Sequence, residues 1–197
     1  MIFFKKERGY YFHNFWFMKQ FVIIVFAFLS ALFFIPSIYN ITQSQSINIE
    51  EKEVLYQLPY PGLLPDHPLY LVKVVRDNIL LFTTRDNYKK SNLYLHLSDK
   101  HMSASIELAD KGSEQLAIKE LIKAEDQFLH IPNLLKEIKD QGGSYPSDFT
   151  LELYQSNAKH KQVIADVMEK TTQAEIDTLQ SLLKKNEEAK VELDKLQ

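Results

Sequence analysis

A single glycine, Gly112, separates two long amphipathic stretches, and this arrangement narrows the possible folds more than any other feature of the chain. The stretch before it, Asp86 to Lys111, would span about 39 Å as a helix. Its Leu93, Leu97, Ala104 and Leu108 fall on one stripe. Asp86 stands where an N-cap is wanted, and Gly112 where a left-handed residue ends a helix. The following stretch opens at Ser113 as cap and carries Leu116, Ala117, Leu121, Ala124 and Phe128 at helical spacing. The pattern predicts an αα-hairpin. With only five glycines (Gly9, Gly62, Gly112, Gly142 and Gly143), the chain lacks the turns a β-rich fold needs. The expected class is all-α: an N-terminal transmembrane or signal segment, a Pro-rich collar, then an antiparallel bundle of four to five helices around a long central αα-hairpin.

A first helix is expected from Pro68 to about Phe82. Proline suits the first helical position, His67 before it is biased away from helical angles, and Asp66 would sit near the positive end of the helix dipole. Leu71, Val74, Val75 and Ile79 share one face, and Leu69 and Tyr70 would anchor the segment to the bundle. Pro59, Pro61, Pro65 and Pro68 make the preceding stretch a rigid collar. Further along, Pro132 kinks or ends the third helix. NLLKEIKDQ resumes a helical pattern until Gly142-Gly143, and the chain reads helical again from Ser147. Thr172-Gln173-Ala174-Glu175 fits a capping box. Ile176, Leu179, Leu183, Leu193 and Leu196 follow near coiled-coil spacing, interrupted by Asn186. That helix would fold back on the bundle or meet a partner, so residues 172–197 are the expected site of a protein partner or of self-association.

Residues 20–49 carry no Asp, Glu, Lys or Arg, and Phe21 to Ile35 reads FVIIVFAFLSALFFI. Fifteen residues of helix are too short for a bilayer, but extension to Ile41 suffices. An anchor and a cleaved signal are the competing readings. The lack of small residues close after the apolar run favours the anchor. Lys5, Lys6, Arg8 and Lys19 precede the run and Glu50, Glu51 and Glu53 follow it, so the positive-inside rule puts the N-terminus in the cytoplasm and the body outside. Translation could start at Met1 or at Met18, where Met18-Lys19 begins a conventional signal or anchor. The expected organisation is an N-terminal segment over 1–20, an anchor or signal over 21–41, a polar tether over 42–57, a helical core over 58–141 and C-terminal helices over 142–197.

Of 23 basic and 26 acidic residues, 19 and 25 fall in Glu50 to Gln197, giving that body a charge of −6. It lacks the basic footprint that phosphate backbones require, so no nucleic acid is expected. The chain has no cysteine, which removes disulfides and thiolate chemistry. No phosphate loop, nucleophile elbow or paired-histidine zinc motif occurs. His96 and His101 lie about 140° apart on a helix and do not converge, while His67, His130 and His160 are explained by helix ends and polar context. Neither a metal nor a cofactor is expected, nor any catalytic residue: Asp66, Asp77, Asp86 and Asp99 form no recognisable acid–base pair. The body's two arginines occur as Arg76-Asp77 and Arg85-Asp86. Choosing Arg there suggests bidentate pairing, read as a tie between the first two helices, as a clamp for a ligand carboxylate, or as ordinary surface charge.

LPYPGLLPDHPLYLVKVVRDNI, TRDNYKKSNLYLHLSDKHMSASIELADKG and LAIKELIKAEDQF together resemble a bacterial and archaeal family, domain of unknown function five-six-six-seven. The resemblance covers Leu58 to Phe128, and AKHKQVI (Ala158 to Ile164) resembles a later helix of the same proteins. Pro65, Pro68, Leu69, Tyr70, Lys73, Arg76, Asp77, Asp86, Lys90, Leu93, Asp99 and Gly112 occupy recurrent positions, with Asp66 inside the same motif. Ser91 and His101 depart from the pattern. The resemblance implies a helical domain behind a membrane segment and brings no catalytic residues. The function expected is a non-enzymatic extracytoplasmic interaction or envelope module. The alternative is a ligand-sensing domain coupled to a partner through the membrane helix.

Overall fold

The computed structural model describes residues 55–196. The expected N-terminal segment, the anchor or signal over 21–41 and most of the tether lie outside the described residues. Within them there is no β-strand, and no helix is long and apolar enough to cross a membrane. Six α-helices follow one another: α1 Tyr70–Thr83, α2 Asn87–Asp110, α3 Glu114–Phe128, α4 His130–Asp140, α5 Ser147–Glu169 and α6 Ile176–Asp194. Helix α2 is the spine, packed against α1, α3, α4 and α5, and α6 returns along α5 to close over α3. Five helices, α2 to α6, form the bundle, and α1 lies on its edge.

The hairpin turn forms as its chemistry dictates. Gly112 has φ +73°, a left-handed conformation that costs other residues about 1–2 kcal/mol. Ser113 N–H then reaches back to Leu108 C=O at 2.8 Å, and Gly112 N–H to Ala109 C=O at 2.9 Å, satisfying carbonyls that the helix end would leave unpaired. Asp86 caps α2, accepting from Lys89 N–H at 2.8 Å. Ser113 stands at the start of α3 but makes no side-chain cap bond. Helix α3 ends at Phe128, and Pro132 falls in the first turn of α4, where a missing N–H costs no helical bond. The proline therefore ends one helix and helps begin the next.

Three expectations at helix starts need correction. Helix α1 begins at Tyr70 rather than Pro68, because Pro65-Asp66 and Pro68-Leu69 each form a turn first. Asp66 is exposed and no acidic residue lies in the first turn; the backbone N–H of Leu69 is met by His67 Nδ1 at 3.1 Å instead. Thr172 makes no capping box. Its N–H and hydroxyl both donate to Glu114, at 2.8 and 2.9 Å, tying the α5–α6 link to the start of α3.

The first helix also faces the opposite way from its expected packing. Leu71, Val75 and Ile79 are exposed, as is Leu69, whereas Tyr70, Lys73 and Asp77 are buried. The sequence stripe is correct as a face; the bundle contacts the other one.

The core is divided along the bundle. At one end Met102, Ile118, Leu121, Val163, Ile164, Leu179 and Leu182 pack together. At the other, Leu95, Phe128, Ile131, Leu135, Phe149, Leu153 and Leu193 do the same. Each fully buried large side chain contributes about 1.5–3 kcal/mol of burial. The stripe of α6 (Leu179, Leu182, Asn186, Ala189 and Leu193) is buried within the chain's own bundle.

Candidate functional site

Between the two apolar clusters, α2, α3, α5 and α6 each turn a polar side chain inward. Asp99 comes from α2, Glu125 from α3, Ser156, Asn157 and His160 from α5, and Asn186 from α6; all are buried. Ser156 and His160, four apart, share one face of α5. His160 Nε2 lies 3.0 Å from Asp99 Oδ1 and Nδ1 lies 3.0 Å from Glu125 Oε1. Ser156 Oγ donates to Asp99 Oδ1 at 2.6 Å, and Tyr56, from the segment before α1, donates its hydroxyl to Asp99 Oδ2 at 2.5 Å. Asn157 and Asn186 donate their side-chain amides to each other's backbone carbonyls, at 3.0 and 3.1 Å.

Burial alone would drive the His160 imidazole neutral, but the hydrogen bonds and charges of Asp99 and Glu125 outweigh it and raise the group to about 9. Near neutral pH it is an imidazolium donating from both ring nitrogens. The Tyr56 phenol is pushed up by burial and by the adjacent Asp99 carboxylate. Burial, then the charges of Asp99 and Asp148, also raises Glu152.

A second buried cluster joins α1 to the hairpin. Tyr70 Oη donates to Glu120 Oε1 at 2.9 Å, Lys123 Nζ reaches the same oxygen at 2.6 Å, and His101 Nδ1 meets Oε2 at 2.5 Å. Burial opposes charge on Glu120, yet the His101 and Lys123 partners win and hold it down at about 2. Beside it, Lys73 Nζ donates to the carbonyls of Pro61 and Leu63, at 2.9 and 3.2 Å. Burial lowers Lys73 and Lys100 and pushes His96, next to Lys100, down to about 4.

The expected site residues thus divide among several tasks. Tyr70, Lys73 and Asp77 form the inward face of α1, Asp86 is a cap, Gly112 is the turn, and Asp99 is the centre of the polar layer. Arg76 places Nε and Nη2 at 2.9 and 2.7 Å from one oxygen of its neighbour Asp77. That pair lies within α1, so it is not the expected tie between the first two helices; Tyr70 instead ties α1 to α3 through Glu120 and Lys123. Pro65, Asp66, Pro68 and Leu69 stay in the turns before α1. Arg85 is exposed in the α1–α2 link. His130 is exposed, stacked on Tyr94 at 4.8 Å.

The largest correction concerns His160, which is fully buried between two carboxylates rather than at a helix end, and His101 too is buried, against Glu120. A signal for their partners was present: Glu120 and Glu125 interrupt the Ala117, Leu121, Ala124, Phe128 stripe at its own spacing, as Asn186 does on α6.

Chemically, the layer brings a serine, a histidine and an aspartate together: Ser156 Oγ lies 2.6 Å from Asp99 Oδ1 and 3.4 Å from His160 Nε2. The Ser156 hydroxyl donates to Asp99, and the His160 ring is directed at the Asp99 and Glu125 carboxylates, whose charges favour its protonated form. Among the described residues no three His, Asp or Glu side chains are gathered to hold a metal ion.

The model of the family described as domain of unknown function (DUF5667) matches residues 62–197. The chain belongs to this family. The DUF5667 match includes all six helices and every member of both polar clusters except Tyr56. No curated protein and no solved structure matches the chain.

Proposed function

We propose that this DUF5667 protein is a membrane-anchored helical domain that faces the cell exterior and works through contacts with protein or envelope components, without catalysing a reaction. The observation that carries this reading is the commitment of the buried polar side chains to one another. Asp99, Glu120 and His160 are spent on internal pairs, Glu125 gives one oxygen to His160 while its Oε2 meets no donor among the described residues, and the Ser156 hydroxyl is turned to Asp99. The apolar run over 21–41 and the charge order around it support the anchor and its orientation. Lys73 grips the proline stretch at Pro61 and Leu63, which supports a stiff collar between tether and bundle.

Crosslinking in native cells, followed by affinity capture of the full chain, tests the reading. Specific envelope components should be enriched, and N-terminal sequencing of the mature protein should recover a chain that retains residues 21–41. A mature chain starting after residue 41 rejects the anchor. Capture of no envelope component rejects the interaction role.

A further inference from the structure

Leu71, Val72, Val75, Ile79 and Phe82 occupy about 100° of arc on α1, at 100° per residue. All are exposed: Phe82 by 87%, Leu71 by 73% and Val75 by 57%. The opposite side of the helix carries Tyr70, Lys73 and Asp77, buried against the bundle. A surface helix ordinarily turns its apolar stripe toward its own core. Here the charged side is held inward by named hydrogen bonds while five large apolar residues face out, and such a continuous patch marks a surface that works against something else. At its C-terminal end, Arg85 and Lys90 line a shallow surface depression together with Phe82, Thr83 and Thr84. Lys89 is exposed beside it. Apolar side chains along the helix and cations just past its end, with Asp86 between them committed as the α2 cap, offer the two chemistries a phospholipid surface takes, acyl contact and phosphate contact.

We propose that this face of α1 docks on a phospholipid bilayer, with Leu71, Val72, Val75, Ile79 and Phe82 in the acyl boundary and Arg85 and Lys90 on lipid phosphates. The inference rests on the membrane-anchored reading above. In that reading an anchor over 21–41 precedes the bundle in the same chain, so the protein supplies its own bilayer, whereas a protein partner would have to be recruited. Interfacial helices bury their apolar face about 5–10 Å into the headgroup boundary, a depth within reach of Val75 and Ile79.

The chain contains no cysteine, so Val75→Cys, Ile79→Cys and, as an exposed control on α3, Lys119→Cys can each carry one environment-sensitive fluorophore. The full chain is reconstituted into vesicles of phosphatidylcholine with a minority of phosphatidylglycerol. We expect flotation with the vesicles, a blue shift at positions 75 and 79, and their quenching by lipid-borne quenchers, with none of this at 119. Arg85→Gln with Lys90→Gln should weaken the quenching on phosphatidylglycerol vesicles. If the protein floats but positions 75 and 79 read water as 119 does, docking is overturned and the anchor stands. If the protein does not float, both fail. Shielding of 75 and 79 before vesicles are added, or without lipid quenching, assigns the face to a second copy or another protein and overturns the lipid assignment.

Discussion

The His160 imidazole on α5 lies 3.0 Å from a carboxylate oxygen of Asp99 on α2, sixty-one residues earlier in the chain. Its other nitrogen holds Glu125 on α3, so one side chain links three helices through charge. Removing His160 would leave two buried carboxylates without their counter-charge, and breaking a buried pair in this way costs about 3–5 kcal/mol. His160→Leu should therefore lower unfolding free energy by several kcal/mol in urea titrations at neutral pH. A loss under about 1 kcal/mol, the size of an exposed ion pair, would contradict the linking role.

The same pairs set a pH profile. His160 is raised from 6.5 to about 9, so its contribution is complete below about pH 6.5 and disappears as pH climbs through 9. Its size is on the order of 3 kcal/mol. His96, depressed from 6.5 to about 4, opposes folding as pH falls across that interval. Glu120, lowered from 4.5 to about 2, stabilises above 4.5 and stops doing so as pH drops through 2. Thermal unfolding should peak in the pH 6–7 region, from these shifts taken together. His160→Gln should flatten the alkaline limb between pH 7 and 9 and leave the acid limb in place; an unchanged alkaline limb would rule out its titration as the cause.

Lys73 holds the proline stretch before α1. Lys73→Met keeps the stem and removes both bonds to the Pro61 and Leu63 carbonyls. Limited proteolysis between residues 55 and 68 should accelerate more in this variant than in Pro68→Ala, since Pro68 is an exposed turn residue. The reverse order of sensitivity would return the stiffness to the prolines themselves.

Gly112→Ala should destabilise the hairpin by about 1–2 kcal/mol. A Cβ at this position meets nothing within 4 Å, so the cost comes from the φ of +73° alone. A neutral result in a denaturant titration would mean that the turn relaxes out of the left-handed region.

Asp86→Ala should cost about 1 kcal/mol through loss of the α2 cap, and Asp86→Asn should recover most of it. Equal losses in both variants would point to charge rather than to the hydrogen bond from Lys89 N–H.

The hairpin, the helix ends at Gly112 and Gly142 and the inward stripes of α2 and α3 are legible in the sequence because each depends on local chemistry: a φ only glycine adopts readily, a cap, a 3.6-residue period. Orientation is not local. Leu71, Val75 and Ile79 identify a face of α1, but periodicity does not say whether that face meets core or surroundings; the bonds of Tyr70 and Lys73 to groups elsewhere in the chain decide it. The polar layer is hidden for the same reason. Asp99 meets Tyr56, Ser156 and His160 across 43, 57 and 61 residues, and nothing in the spacing of any one helix joins them. Glu120 and Glu125 were the visible clue, carboxylates at positions where the stripe calls for leucine.

The polar layer also governs how such a chain can change over generations. In the apolar clusters on either side, Leu121 or Leu153 can exchange for a residue of similar volume one at a time, at a cost usually below about 1.5 kcal/mol. Asp99, Glu125, Ser156 and His160 have no such freedom, because a replacement at one strands charge or donors on the others. Viable histories pass through coordinated replacement on α2, α3 and α5, so lineages of DUF5667 proteins should inherit this layer whole or lose it whole, while the leucines around it drift.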